Sequence, residues 1–61
     1  MNVEEKDYYL IMRKRKKITQ IQVAQGMGIS QAFVSYFECN KWIFTDEQFK
    51  KYKVYIETYK N

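Results

Sequence analysis

Glutamines are the residues of this chain whose type and spacing could do chemistry, because they lie in a stretch without charge. No charged residue occurs between Ile18 and Phe37. The glutamines within that stretch are Gln20, Gln22, Gln25 and Gln31. A glutamine amide both donates and accepts hydrogen bonds and can pair with adenine through two of them, whereas a solvated helical face usually carries lysine and glutamate. The stretch is therefore typical of a surface that contacts base edges or phosphates of a nucleic acid.

Two short helices joined by a tight turn are predicted to position these glutamines. Thr19 and Gln22 have the spacing of a capping box, so a helix should span residues 20–27 and end at Gly28, which tolerates a left-handed backbone. Ser30 is a good N-cap for a second helix over residues 31–39, with Asn40 as its left-handed end. The apolar positions that should face the core are Val23, Ala24, Met27, Val34 and Phe37. This pattern predicts a helix-turn-helix unit, and a simple helical hairpin is the alternative.

The rest of the chain predicts an all-α fold. With 61 residues and no proline, it should form a single domain, residues 1–61, built as a compact bundle of four or five short helices. Helix 1 should span about residues 3–16 with Asn2 as N-cap, and helix 4 about residues 46–58 after a capping box of Thr45 and Gln48. The predicted core faces of these two helices are Tyr9, Met12 and Arg13 in helix 1, and Phe49, Tyr52 and Ile56 in helix 4. After Lys41, the segment 42–44 should be a hydrophobic loop.

Positive charge is concentrated at one junction of the chain. The formal net charge is +4, and the segment 13–17, RKRKK, is entirely basic. Cationic side chains at the end of helix 1 could simply offset the helix dipole. They could also attract a phosphate backbone to the start of the following helix. The two interpretations are compatible, and both stand.

Other residue counts exclude several classes of function. One cysteine, Cys39, cannot form an intramolecular disulfide, and a chain with no histidine has neither a usual zinc site nor a histidine-based catalytic pair. We find no nucleophile paired with a base and no phosphate-binding loop, so no enzymatic activity, metal or cofactor is expected. The longest apolar run, residues 8–12, is too short to span a membrane. We expect a cytoplasmic protein.

The central stretch also resembles a known family, the helix-turn-helix domain of phage repressors and Cro proteins (Xre-type), which has the lambda-repressor-like fold. The residues that match its pattern are Arg13, Ile18, Thr19, Gln20, Val23, Ala24, Gly28, Ile29, Ser30, Val34, Ser35, Phe37, Glu38 and Lys41. The match covers about residues 5–56. It departs from the family at Gly26, which should cost about 1 kcal/mol relative to alanine, and at Asn40, where glycine is usual.

The resemblance implies a sequence-specific regulator of transcription that binds double-stranded DNA. It would be a small Cro-like or repressor-like protein of a phage or mobile element, associated with the nucleoid. In the family, an arginine like Arg13 pairs with a glutamate like Glu38, which implies a structural ion pair here. Many relatives carry a sensing domain after the last helix, where this sequence ends, so no small-molecule ligand is expected.

Helical spacing assigns candidate roles at the DNA surface. Helix 3, the recognition helix, should enter the major groove with the face opposite Val34 and Phe37. The candidate base-reading residues are Gln31, Ala32, Phe33, Ser35 and Tyr36. The candidate phosphate contacts are Lys17, Gln20, Ser30, Asn40 and Lys41. Because one recognition helix covers only a few base pairs, the protein should act as a homodimer or with a larger DNA-binding partner.

A protein-binding module is the alternative function. An antirepressor or an antitoxin could use the same fold and bind its partner through apolar side chains outside the central stretch. The residues of that predicted partner surface are Leu10, Ile11, Tyr55 and Tyr59. Tight protein binding without salt-sensitive DNA binding would distinguish this function from the first.

Overall fold

Four helices make up the computed structural model, which describes the chain from residue 3 to residue 60 and the side chains from residue 5 to residue 60. They are α1 (Val3–Arg15), α2 (Gln20–Met27), α3 (Gln31–Glu38) and α4 (Asp46–Thr58). The predicted bounds hold to within one residue, since α1 and α3 each end one residue earlier than expected. Asn2, the predicted N-cap of α1, lies outside the described residues.

Capping side chains fix the starts of α2 and α4. The Thr19 hydroxyl accepts from the backbone N–H of Gln22 (3.1 Å), whose side chain accepts from the N–H of Thr19 (2.8 Å). Thr45 and Gln48 form the same reciprocal pair before α4. Both capping boxes are as predicted. Ser30 has the extended backbone of an N-cap, but its hydroxyl makes no cap hydrogen bond to any residue that the structure describes.

A left-handed residue follows each of the first three helices within two positions. These residues are Lys17, Gly28 and Asn40, with φ of 59°, 74° and 62°. In each case the next backbone N–H reaches back five residues to a helix carbonyl, as Ile18 does to Arg13 (3.1 Å) and Lys41 to Tyr36 (2.8 Å). This is the Schellman pattern, which satisfies carbonyls that the helix leaves unpaired. Gly28 and Asn40 were predicted, whereas Lys17 carries no sequence signal for this backbone.

The core lies where α2 packs on α3 and α4, with α1 packed on α4. Its buried apolar residues are Ile18, Val23, Ala24, Met27, Val34, Phe37, Phe44, Phe49, Tyr52 and Ile56. Phe37 is at the centre, stacked on Phe44 at 3.9 Å between ring centroids and edge-on to Tyr52 at 5.3 Å. The result is a compact all-helical globule of 28 × 23 × 19 Å. Between residues 3 and 60 there is no strand and no helix long and apolar enough to cross a membrane.

The core face of α1 differs from the prediction. Arg13 is buried as expected, but Tyr9 and Met12 are only partly buried against the core. Lys6, which no sequence pattern placed inside, is buried. Its ammonium group donates to the Asn40 side-chain oxygen and lies 4.9 Å from the centroid of the Phe37 ring. These contacts give the lysine an acceptor and an aromatic face in place of water.

Tyr55 explains the glycine inside α2. The Tyr55 ring lies so close to Gly26 that a Cβ atom at that position would overlap it. Gly26 therefore lets α4 approach α2, at the expense of helix propensity.

This contact predicts a sign reversal for Gly26→Ala. In the wild-type background the substitution should destabilise the fold by about 1 to 3 kcal/mol because the new methyl group displaces the Tyr55 ring. In a Tyr55→Ala background it should stabilise by up to about 1 kcal/mol, the helix-propensity gain of alanine over glycine. Urea denaturation of the four variants measures both effects, and the same sign in both backgrounds would contradict the account.

Candidate nucleic-acid interface

The outer face of α3 is uncharged and accessible. Gln31, Ala32, Phe33 and Tyr36 are exposed, and Ser35 is half-buried. On the opposite face, Val34 and Phe37 are completely buried, and they anchor the helix to the core. The structure thus brings the five predicted base-reading residues to one helix face.

A side-chain bridge joins the start of α3 to the start of α2. Gln31 Nε2 donates to Gln20 Oε1 at 2.6 Å, and Gln20 Nε2 donates to Glu38 Oε1 at 2.9 Å. Gln31 is exposed while Gln20 is half-buried. The spacing of the glutamines along the sequence did not predict this bridge, because it requires the two helix starts to meet in space.

Glu38 is the inner end of this bridge and also pairs with Arg13. Arg13 donates from Nε to Oε2 at 2.7 Å and from Nη2 to Oε1 at 2.8 Å, a two-point contact. The two side chains are 8% and 6% exposed. Arg13 Nη1 also donates to the Ile18 carbonyl at 2.6 Å. The ion pair that the family resemblance implies is therefore present, and it connects the end of α3 to α1 and to Ile18, two residues before α2.

Tyr52, in α4, makes a further hydrogen bond to the Glu38 carboxylate. Its hydroxyl donates to Glu38 Oε2 at 2.8 Å. Burial raises the pKa of the Tyr52 hydroxyl, and the neighbouring Glu38 carboxylate raises it further, while Arg13 acts weakly in the opposite direction. Tyr52 consequently stays protonated and keeps donating well above its ordinary pKa.

The predicted phosphate contacts fall into two groups. Lys17 and Lys41 are exposed, Lys17 just after α1 and Lys41 just after α3. Ser30 is exposed at the start of α3. Gln20 and Asn40 are already engaged in hydrogen bonds, with Glu38 and Gln31 in one case and with Lys6 in the other. Because the Gln20 and Asn40 side chains already make these hydrogen bonds, they can turn toward a phosphate only in a limited range of directions.

Only part of the basic segment is free to attract phosphate. Lys16 Nζ donates to the carbonyls of Ile56 (2.7 Å) and Glu57 (3.2 Å), near the end of α4. There it offsets the negative end of that helix dipole. Lys14, Arg15 and Lys17 are exposed. Lys16 thus has a structural role, at the end of α4 and not of α1 as the sequence suggested, and attraction of phosphate by the exposed residues stays a prediction.

The residues of the predicted partner surface differ in how far they are exposed. Tyr55 and Tyr59 pack against the core and against each other, with ring centroids 5.9 Å apart, and the Tyr59 hydroxyl accepts from Gln22 Nε2 at 3.2 Å. Leu10 is half-buried. Ile11 is exposed and lines a pocket with other residues of α1. Much of the tyrosine surface is therefore used inside the fold.

The loop after α3 also exposes apolar side chains. Trp42 is 51% and Ile43 76% exposed, whereas Phe44 is buried. The Trp42 ring lies 5.7 Å from that of Phe33, measured between centroids. The sequence predicted a hydrophobic loop, but not that two of its three apolar residues are exposed or that Trp42 lies beside Phe33 of α3.

Comparison with known proteins finds no family model, no curated protein and no solved structure that matches this chain.

The burial of the ion pair predicts a large effect of removing one partner. Glu38→Ala should lower the free energy of unfolding by about 3 kcal/mol or more, because it leaves the Arg13 guanidinium buried without a counter-charge. Glu5→Ala is the matched control, since it removes an exposed pair with Lys53 (3.4 Å) and should change stability by less than about 1 kcal/mol. If thermal melts showed that the two variants lose similar amounts of stability, the structural role of Glu38 would be contradicted.

The raised pKa of Tyr52 predicts a loss of stability at high pH. Below the unfolded-state pKa of 10.0, tyrosine is protonated in both states and its contribution is fully present. Above that pKa, the unfolded state loses the proton first, so this residue should reduce stability by about 1.4 kcal/mol per pH unit. The stability difference between wild type and Tyr52→Phe should therefore shrink as pH rises above 10.0. A constant difference in denaturation series from pH 8 to about 11.5 would refute this.

Proposed function

We propose that this protein binds double-stranded DNA and regulates transcription, with α2, the turn and α3 acting as a helix-turn-helix. In this proposal α3 enters the major groove and presents Gln31, Ala32, Phe33, Ser35 and Tyr36 to the base edges. Eight residues give a helix about 12 Å long, which is comparable to the width of that groove.

The observation that carries the proposal is the uncharged outer face of α3 with Gln31 held by Gln20. An ordinary solvated face would carry charged side chains, and a glutamine there would have no partner from another helix. Here a hydrogen bond of 2.6 Å restrains the exposed amide. Restraint reduces the conformational entropy that a side chain loses when it binds, and it favours recognition of a particular hydrogen-bonding pattern.

Charge supports the same function. The chain carries a net +4, with Lys41 exposed just after α3 and with Lys14, Arg15 and Lys17 exposed at the end of α1 and just after it. In this proposal the cationic side chains contact phosphates while the amides and aromatic rings of α3 contact bases. Useful affinity would require two copies on a two-fold site or a larger DNA-binding partner, because one short helix reads few base pairs.

Selection of bound sequences from random duplex DNA, at two salt concentrations, tests the function. A DNA-binding regulator should enrich a short motif and lose affinity as salt rises, because bound phosphates release counterions. Absence of any enriched motif at either salt concentration would refute sequence-specific binding. Tight binding to a protein, without salt-sensitive binding to DNA, would favour the alternative of a protein-binding module.

Substitution of a base-reading residue and substitution of a phosphate-binding residue should change DNA affinity in different ways. Gln31→Ala should cost about 1 to 3 kcal/mol at the selected site and relax the preference at one base position, with little change in salt dependence. Lys41→Ala should weaken binding to all sequences alike and reduce the salt slope by roughly one unit for each phosphate that the variant no longer binds. Affinities for a selected and a scrambled duplex across a salt series measure both effects. If Gln31→Ala reduced the affinity for the two duplexes equally, α3 would not be the helix that reads the bases.

A further inference from the structure

An exposed stripe along α1 has the same spacing on both sides of Ile11. Asp7 and Tyr8 lie four and three positions before it, and Lys14 and Arg15 lie three and four positions after it. Residues three and four apart share one face of a helix, so the five side chains lie on one side of α1. All five are exposed, Tyr8 by 61% and Ile11 by 52%. The stripe has an apolar middle, an acidic residue toward its start and two basic residues at its end.

This side of α1 carries apolar surface that the fold does not use. Tyr9 and Met12 pack against the core, whereas Tyr8 and Ile11 are exposed. The outer face of a surface helix is usually polar. Between Tyr8, Ile11, Met12 and Arg15 there is a pocket of about 260 Å³. The exposed side of α1 therefore offers both apolar side chains and a depression into which a side chain of another molecule can pack.

The charges of the stripe indicate what that molecule is. Within the described part of the chain, Asp7, Lys14 and Arg15 form no ion pair. A complementary helix would need a basic residue opposite Asp7 and an acidic residue opposite Arg15. A second copy of α1 running antiparallel has this order, because reversal brings its basic end to the acidic end of the first copy. The stripe is therefore complementary to itself.

We propose that two copies of this chain associate through α1, antiparallel about a two-fold axis at Ile11. The two Ile11 side chains then pack on each other at the axis. Asp7 of each copy faces Arg15 of the second copy, and Tyr8 faces Lys14. Because the interface is symmetric, each of these contacts occurs twice. The ammonium group of Lys14 over the tyrosine ring adds a cation–π contact to the two ion pairs.

The size of this contact predicts a weak dimer. The 13 residues of α1 give a helix about 20 Å long. One face of such a helix buries less than the roughly 800 Å² per partner that is typical of a stable interface. The dissociation constant should therefore lie between about 10 μM and 1 mM. Lys14 and Arg15 would serve the dimer, and Lys17 and Lys41 would remain exposed for phosphate.

Analytical ultracentrifugation of the free protein tests the association. Wild type should shift from monomer toward dimer as its concentration rises to about 1 mM. Ile11→Lys should stay monomeric over this range, because it places two like charges together at the axis. Ile43→Lys is the matched control, since it changes an isoleucine that is 76% exposed outside α1, and it should associate like wild type. A monomeric wild type, or association lost in Ile43→Lys and kept in Ile11→Lys, would overturn the proposal.

A charge swap tests the antiparallel order. Asp7→Arg and Arg15→Asp should each weaken self-association by about 10-fold or more, because each turns two attractive contacts into two repulsive ones. Both positions are exposed, so circular dichroism should show unchanged helical content. When the two variants are mixed, opposite charges meet at both ends, and association should return to about the wild-type level. A mixture that associates no better than the separate variants would rule out this pairing. Neither measurement contains DNA, so failure of this inference and failure of the proposed function are distinguishable.

Discussion

The buried Glu38 carboxylate is the interaction on which the rest of this small fold depends. Arg13 from α1, Gln20 from α2 and Tyr52 from α4 all donate to it at the end of α3. A buried ion pair contributes little net stability compared with apolar packing, but removal of one partner is costly. With every lone-pair direction occupied, the four helices can meet in this arrangement without leaving a charge unpaired. The carboxylate therefore specifies how the helices are arranged more than it adds to their stability.

The same carboxylate links the interior to the proposed DNA surface. Its hydrogen bond to Gln20 continues to Gln31, so an exposed side chain is held by a contact that begins in the core. On the other side of α3, Phe37 packs on Phe44 and Tyr52, which keeps the helix fixed while its outer face stays free. Rigid support of this kind limits the loss of conformational entropy on binding. If α3 binds DNA as proposed, stability and recognition depend on the same residues.

Structural features that depend on residues within one helical turn could be predicted from the sequence, whereas contacts between distant segments could not. The capping boxes and the left-handed residue Gly28 predicted helix bounds correct to within one residue, because each depends on neighbours only a few positions away. The Arg13 and Glu38 pair was predictable only through resemblance to a family. The burial of Lys6 and the ring of Tyr55 over Gly26 were missed. Both depend on how helices far apart in the chain pack together, which periodicity does not encode.

Mapping the DNA contact on the protein tests the central claim most directly. Backbone and side-chain amide signals would be recorded while a duplex recovered by selection is added to the ¹⁵N-labelled chain. The largest chemical-shift changes should cluster at Gln20, at residues 31–36 and at Lys41. Changes in α1 and α4 should be smaller. Changes centred on Ile11 and Tyr55, with α3 unaffected, would contradict this claim.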